Sequence, residues 1–454
     1  MKIKFKTSSS LICVYCIAVI SAYCYLNIAK WRGNNVIKND AVSYYAYLPA
    51  TFIYNDISLN FLGKPTSAGV EMWPEKAPNG KNVIKTSMGV AFFYSPLFFV
   101  AHMCAPLFDF ESTGYSEIYH LLVGFTSSLY LFLGLLFLRK ILLRYYSENT
   151  TSFTIVVITL GTNMLYYSTI ETLNPHIISF FLINGFLLFI IQWHENQKIK
   201  YVITLGLIIG FMTLVRPLNI LLILVFLFYN IYDRDSFRNK IVLISRHFFG
   251  LVIIPFSTVL IFLPQLIYWK MQTGYYFFNS YIGEQFYFFN PHILEGLFSF
   301  RKGWLIYTPV MVLFFVGLFF MNGALKKWRM AIIIFYIVIT YILFSWWCWW
   351  YGGSFGLRAY IDFYGLFAIP IAALIHQSKS NKKLYCVLLS FCGIFLFLNI
   401  AQTYQAKRNI IHYDSMTSQK YRAVFLKFGK ETDYSNHLLQ RPDYDKAKSG
   451  QDEY

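Results

Sequence analysis

The chain has 454 residues, of which 57% are hydrophobic, 20% aromatic and only 13% charged. A soluble domain carries about a quarter charged residues, so the composition excludes the soluble classes. The formal net charge of +17 would suit nucleic acid in a soluble protein. In a chain this apolar it belongs to the loops of a membrane protein, and no nucleic-acid partner is expected.

Apolar runs recur from end to end, near residues 8–28, 87–108, 116–138, 152–170, 175–193, 201–215, 218–232, 248–268, 304–321, 330–347, 360–375 and 384–402. A bilayer core of roughly 30 Å asks for about 20 apolar residues per helix. The first run follows "MKIKFKT" and reads as a retained helix rather than a cleaved signal peptide, because its apolar stretch exceeds a typical signal core. The seven cysteines lie mostly inside such runs and show no zinc-site spacing. They read as small lipid-facing or core residues.

Lys and Arg concentrate in short cytoplasmic loops. With residue 1 inside and every run crossing except 87–108, 18 of them fall in inner segments and 5 in short outer loops. If 87–108 crossed as well, every later loop would invert and the bias would point the wrong way. Pro96, His102 and Pro106 also suit a segment lying against the outer face. The expected architecture is therefore an all-α polytopic membrane protein with about eleven crossings, its amino terminus inside and its carboxyl terminus outside. The transmembrane unit covers 1–402 and the first outer loop runs over 29–115. A polar tail occupies 403–454, with room for a short amphipathic helix and an end that reads as disordered. Of the 22 acids, 18 fall outside, so the chemistry is sought there.

Five outer segments carry candidates. In "KNDAVSYYAYLP", Asp40 stands about one helical turn above the first membrane helix. It suits a general base partly screened from water, or a helix N-cap together with Asn39. The segment "STIETLNPHIISFF" offers Glu171 and His176 around Pro175, with simple interfacial packing as the alternative. In "LVRPLN", Arg216 stands between two apolar runs, where a charge has a partner: a lipid-linked phosphate, or a carboxylate on a neighbouring helix. Arg301 and Lys302 in "FRKGWLIYTP" suit a surface lipid headgroup or a substrate phosphate. In "SWWCWWYGGSFGLRAYIDF", an aromatic wall ending in Tyr351 meets a glycine turn and Arg358, a combination that suits a sugar phosphate. Arg358 and Asp362, four apart, are spaced to pair on one helix face.

The ordered motifs "D…YYAYLP…ND", "K..MGVAFFYSPLFFVAH", "NPH..SFF", "RPLN", "F..RKGWLIYTP" and "WWYGGSFGLRAYID" resemble bacterial membrane glycosyltransferases of the GT-C fold. That class includes protein O-mannosyltransferases and the lipid A aminoarabinose transferase. The resemblance runs over about residues 9–402. It implies a polyprenyl-phosphate sugar as donor, an acceptor glycan, lipid or protein, and an active site on the outer face of a bacterial inner membrane. The class places its catalytic acid just after the first helix, which matches Asp40. A second adjacent acid, common in the class, is replaced here by Asn39, and Glu171 is a loose substitute. No cofactor is assigned and use of a divalent metal stays open.

The implied reaction is inverting sugar transfer with Asp40 as base. Arg216, Arg358 and Lys85, with Arg301 or Lys302, would stabilise the leaving phosphate. Three alternatives stand beside it: a flippase of lipid-linked sugars, a non-catalytic assembly factor, and a surface-polysaccharide polymerase or ligase.

Overall fold

A computed structural model describes residues 8–62, 72–429 and 436–451. Most of the described residues are helical, and a two-stranded antiparallel ladder pairs Glu75–Lys76 with Asn82–Val83. Among the described residues, eight helices are long and apolar enough to cross a membrane. In lipid only helices or closed barrels satisfy every backbone polar group internally, and this chain takes the first solution.

Seven of the eight fall on runs expected to cross; the eighth is Gly89–Phe108. The four remaining runs are shorter or broken. They form Glu148–Leu160 with Met164–Thr169, Ile199–Val215, Pro217–Leu222 with Ile223–Phe228, and Trp304–Tyr307 with Pro309–Met311 and Val312–Leu318. Three breaks fall at Gly161, Arg216–Pro217 and Thr308–Pro309. Proline lacks the N–H that a continuous helix needs.

Polar contacts define the two ends of the bundle. At one end Ser8 and Ser10 hydrogen-bond Glu148, which also pairs with Arg139 at 3.1 Å. At the other, the Tyr25 hydroxyl donates to the His120 carbonyl at 2.7 Å. The helix Gly89–Cys104 is tied to this second end by hydrogen bonds near both of its termini. Just before it, the Ser87 hydroxyl donates to the Leu214 carbonyl beside Arg216 at 2.5 Å, and near its close His102 meets the Tyr119 hydroxyl at 2.5 Å. Its length and composition would permit a crossing.

Pro175–Asn196 and Arg358–Ser378 form the centre of the bundle and are buried along most of their length. Ile253–Thr273 and Lys382–Lys407 stand at the periphery with apolar side chains outward, as at Phe256 and Phe397. Such faces are expected where lipid replaces water. Ile199–Val215 packs against Ile253–Thr273 through Gly206 and Gly210. A Cβ there would come within 2.8 Å of Ser257 and 2.9 Å of Ile261, the close approach that small residues allow between membrane helices.

The tail departs from expectation. Its described residues, 403–429 and 436–451, join the fold and include the helices Ser418–Val424 and Tyr444–Lys448. The Tyr444 ring packs against Trp347 and Trp350, and Ala447 is buried. The apolar anchors Tyr444 and Ala447 are isolated among charges, so composition alone reads them as disorder. Only residues 452–454 at the end lie outside the described residues.

Candidate functional site

The second end of the bundle gathers the outer-face candidates from segments far apart in sequence. Asp40 opens the short helix Asp40–Tyr45, directly after Asn39 with its positive φ of 53°. Asn39 occupies the cap position without making a side-chain cap hydrogen bond. The Asp40 carboxylate is used elsewhere: Arg358 Nη2 donates to its Oδ2 at 3.0 Å, and Arg358 Nη1 donates to Asn174 Oδ1 at 3.3 Å. Asp40 keeps 59% of its side chain accessible while Arg358 keeps 16%. A reachable acid is thus held by a largely covered cation.

A second cluster lies beneath the first. Asp362, 1% exposed, has Oδ1 at 2.7 Å from His176 Nδ1, and Arg216 Nη1 lies at 3.3 and 3.4 Å from its two oxygens. His176 Nδ1 is also 2.7 Å from Arg216 Nη1. One tautomer serves one neighbour: with Nδ1–H donating to Asp362, Arg216 is left to the carboxylate. A carboxylate this deep needs both partners to offset its lost hydration. Of the two partners expected for Arg216, the neighbouring carboxylate is the one present.

Arg358 and Asp362 do not pair with each other. Residues Arg358–Phe363 form a 3₁₀ helix, whose three residues per turn rotate positions four apart by about 120°. Arg358 therefore faces Asp40 and Asn174, while Asp362 faces His176 and Arg216.

Lys85 reaches the same space. It forms an ion pair with Glu284 and lies 5.3 Å from the Tyr281 ring centroid, and Trp347 Nε1 donates to Glu284 Oε2 at 3.0 Å. Tyr351, at a positive φ of 59°, joins the aromatic lining beside Arg216, Asp362 and Arg358. The Tyr44 and Tyr281 hydroxyls also lie near Asp40 and Arg216, and burial raises the Tyr281 phenol to about 12. The sequence reading named neither Glu284 nor these two tyrosines. Glu284 is a lone acid in an aromatic loop, and nothing in its spacing marks it.

The Asp40 carboxyl titrates below its ordinary value. The Arg358 guanidinium holds it there against the effect of burial, with Lys85 and His176 adding to the pull. The cations outweigh the desolvation penalty.

Three candidates are engaged elsewhere. Glu171 pairs with Lys30 at 2.5 Å. Arg301 and Lys302, read as surface cations, are 2% and 1% exposed. Arg301 donates to the Asp414 carbonyl at 2.8 Å and Lys302 donates to the carbonyls of Ser354 and Tyr413. They tie the glycine turn and the tail together instead of meeting a headgroup. Burial pulls the Lys302 ammonium well below its usual pKa.

A divalent cation does not fit this donor set. Asp40 is bound to a guanidinium with Lys85 nearby, Asn39 supplies no charge, and Glu171 is neutralised by Lys30. No group of three His, Cys, Asp or Glu able to hold a metal occurs among the described residues.

Comparison with known proteins adds to this geometry. The model of a family described as dolichyl-phosphate-mannose-protein mannosyltransferase matches residues 118–262. No curated protein sequence matches the chain. The apo crystal structure of the Archaeoglobus fulgidus oligosaccharyltransferase superposes with a TM-score of 0.51 at 14% identity, over 97% of this chain and 62% of that one. The same organism's enzyme bound to an inhibitory peptide and a dolichol-phosphate gives 0.46 at 16% identity, over 90% and 57%. The chain thus spans about three fifths of the length of these oligosaccharyltransferases. The likeness is one of fold: the chain shares the helical architecture of the Archaeoglobus fulgidus oligosaccharyltransferase.

Proposed function

We propose that the protein is a membrane glycosyltransferase that moves a sugar from a polyprenyl-phosphate donor to a hydroxyl or amine of a cell-envelope glycan, lipid or protein. It would act at the outer face of a bacterial inner membrane. The observation that carries the reading is the pairing of Asp40 with Arg358 beside Lys85 and the Arg216–Asp362–His176 cluster, in a fold shared with the Archaeoglobus fulgidus oligosaccharyltransferase. One exposed acid surrounded by cations suits a reaction in which a nucleophile loses a proton and a phosphate departs.

The acceptor attacks the anomeric carbon from the face opposite the phosphate. The new glycosidic bond forms as the carbon–oxygen bond to phosphate breaks, and the acceptor proton passes to Asp40. The departing polyprenyl phosphate gains charge on its oxygens. Arg358, Arg216 and Lys85 are the cations that would receive it, and fixed charges count for most where water is scarce. Tyr351 and Tyr281 supply ring faces for a sugar. Asp362 and His176 act through Arg216, whose guanidinium they orient.

The test is release of polyprenyl phosphate from a panel of polyprenyl-phosphate sugars, wild type beside Asp40→Asn, with an envelope extract as acceptor. Release that depends on Asp40 supports the reading and names the donor. Its absence with every donor overturns it in favour of transport or assembly.

A further inference from the structure

The end of the bundle opposite Asp40 holds a cavity of about 260 Å³ that the proposed chemistry does not use. Pro175–Asn196 connects the two places, with His176 at one end and His194 and Glu195 at the other. A helix of that length spans about 33 Å. Arg144, Tyr145, Tyr229, Asn230 and Lys327 complete the wall, each near a helix terminus.

Two of the lining residues, His194 and Tyr229, are held from behind by a buried lysine. Lys240, 4% exposed, donates to the carbonyls of Phe226 at 2.7 Å and Tyr229 at 3.2 Å, and reaches His194 Nε2 at 2.6 Å. His194 Nε2 accepts that bond while its Nδ1–H donates to the Ile190 carbonyl at 2.8 Å. Both ring nitrogens are thereby used, so His194 offers the cavity a ring face and no free donor. Trp328 Nε1 donates to the Tyr145 hydroxyl at 3.1 Å, and the Tyr229 ring packs on Trp328. The walls are aromatic and preset.

The mouth carries two cations and one carboxylate, Arg144, Lys327 and Glu195. Arg144 is held by Glu195 at 2.5 Å, on a carboxylate that remains 50% exposed. Lys327 is exposed, and no ion pair engages it among the described residues. Next to the cavity runs the helix Arg234–Arg246, which carries Lys240 on its inner side and exposes Phe237, Ile241 and Val242 beside Arg234 and Arg238. Phe248 and Phe249 follow, 56% and 90% exposed. Cationic helices with an exposed apolar stripe lie in the headgroup layer, and basic pockets between membrane helices hold anionic headgroups.

We infer that this cavity binds the phosphate of an anionic phospholipid from the leaflet opposite the Asp40 face, through Arg144 and Lys327, with Glu195 as the carboxylate that the phosphate displaces. The interfacial helix favours a lipid over free phosphate as the source. The site is separate from the transfer chemistry and does not depend on it.

Native mass spectrometry of the full chain, released from nanodiscs of equal phosphatidylglycerol and phosphatidylcholine, reads the retained lipid directly. Wild type should retain phosphatidylglycerol several-fold over phosphatidylcholine. Lys327→Gln and Arg144→Gln should each reduce that preference, and Glu195→Gln should raise it. Inorganic phosphate at millimolar concentration should not displace the lipid. Equal retention of the two lipids by wild type, or a preference unchanged in both cation variants, overturns the inference. Displacement by phosphate alone would assign the cavity to a soluble phosphate and overturn the lipid source. The wild-type comparison and Glu195→Gln keep the test decisive should a cation variant fail to fold.

Discussion

Arg358 Nη2 donates to Asp40 Oδ2 at 3.0 Å across 318 residues of sequence. This contact joins the first loop to the last glycine turn and holds the Asp40 carboxyl below its ordinary value. An acid held this way stays ionised at neutral pH.

Replacing Asp40 with Asn keeps its shape and removes its basicity. Transfer is expected to fall by about 10²–10⁴, the range of general-base catalysis, while donor binding persists. Turnover of polyprenyl-phosphate sugar, together with donor binding in the same preparation, measures both. Normal turnover would exclude Asp40 as the base.

The Asp40–Arg358 pair predicts a pH effect with a definite sign. The folded carboxyl titrates below its unfolded value. The pair therefore contributes stability above the unfolded carboxylate pKa, and that contribution is lost as pH falls through the lower folded value. Arg358→Gln should move the acid limb of the pH–rate profile upward, since desolvation of Asp40 then acts unopposed by its main cation. A limb that stays in place would show that Arg358 does not set the Asp40 charge.

Arg216 faces a carboxylate that is 1% exposed. Arg216→Met leaves Asp362 with His176 as its remaining partner, and breaking a buried pair costs about 3–5 kcal/mol. Adding Asp362→Asn should return part of that loss, with a coupling energy of about 0.5–3 kcal/mol. Thermal unfolding of the two single variants and the double variant in detergent provides the cycle. Strict additivity would show that the two side chains are not coupled.

Lys302 predicts a structural outcome away from the chemistry. Its ammonium holds the carbonyls of Ser354 and Tyr413, and an unsatisfied buried polar group costs about 1–3 kcal/mol. Lys302→Met should loosen the tail and speed limited proteolysis after residue 407, with the membrane helices still intact. An unchanged cleavage rate would exclude the anchor.

The membrane class was legible because hydropathy is local: about twenty consecutive apolar residues announce a helix whatever surrounds them. Asp40, Arg216, Arg358, His176 and Asp362 could be named because a charge or imidazole beside an apolar run stands out. Their partners could not be named. Arg358 and Asp362 look like a pair in one dimension, and a 3₁₀ turn sends them to different acceptors. Arg301 and Lys302 look like surface cations, and the tail folds over them.

What the sequence alone determined is the transmembrane, all-helical nature of the chain and the residue types gathered near one face. These follow from side-chain transfer energies, which each residue carries with it. The tertiary structure decided which charges meet, which are buried and which way the Asp40 carboxyl shifts. Those properties depend on distance and local solvation between residues as far apart as 40 and 358, and neither quantity exists until the helices pack.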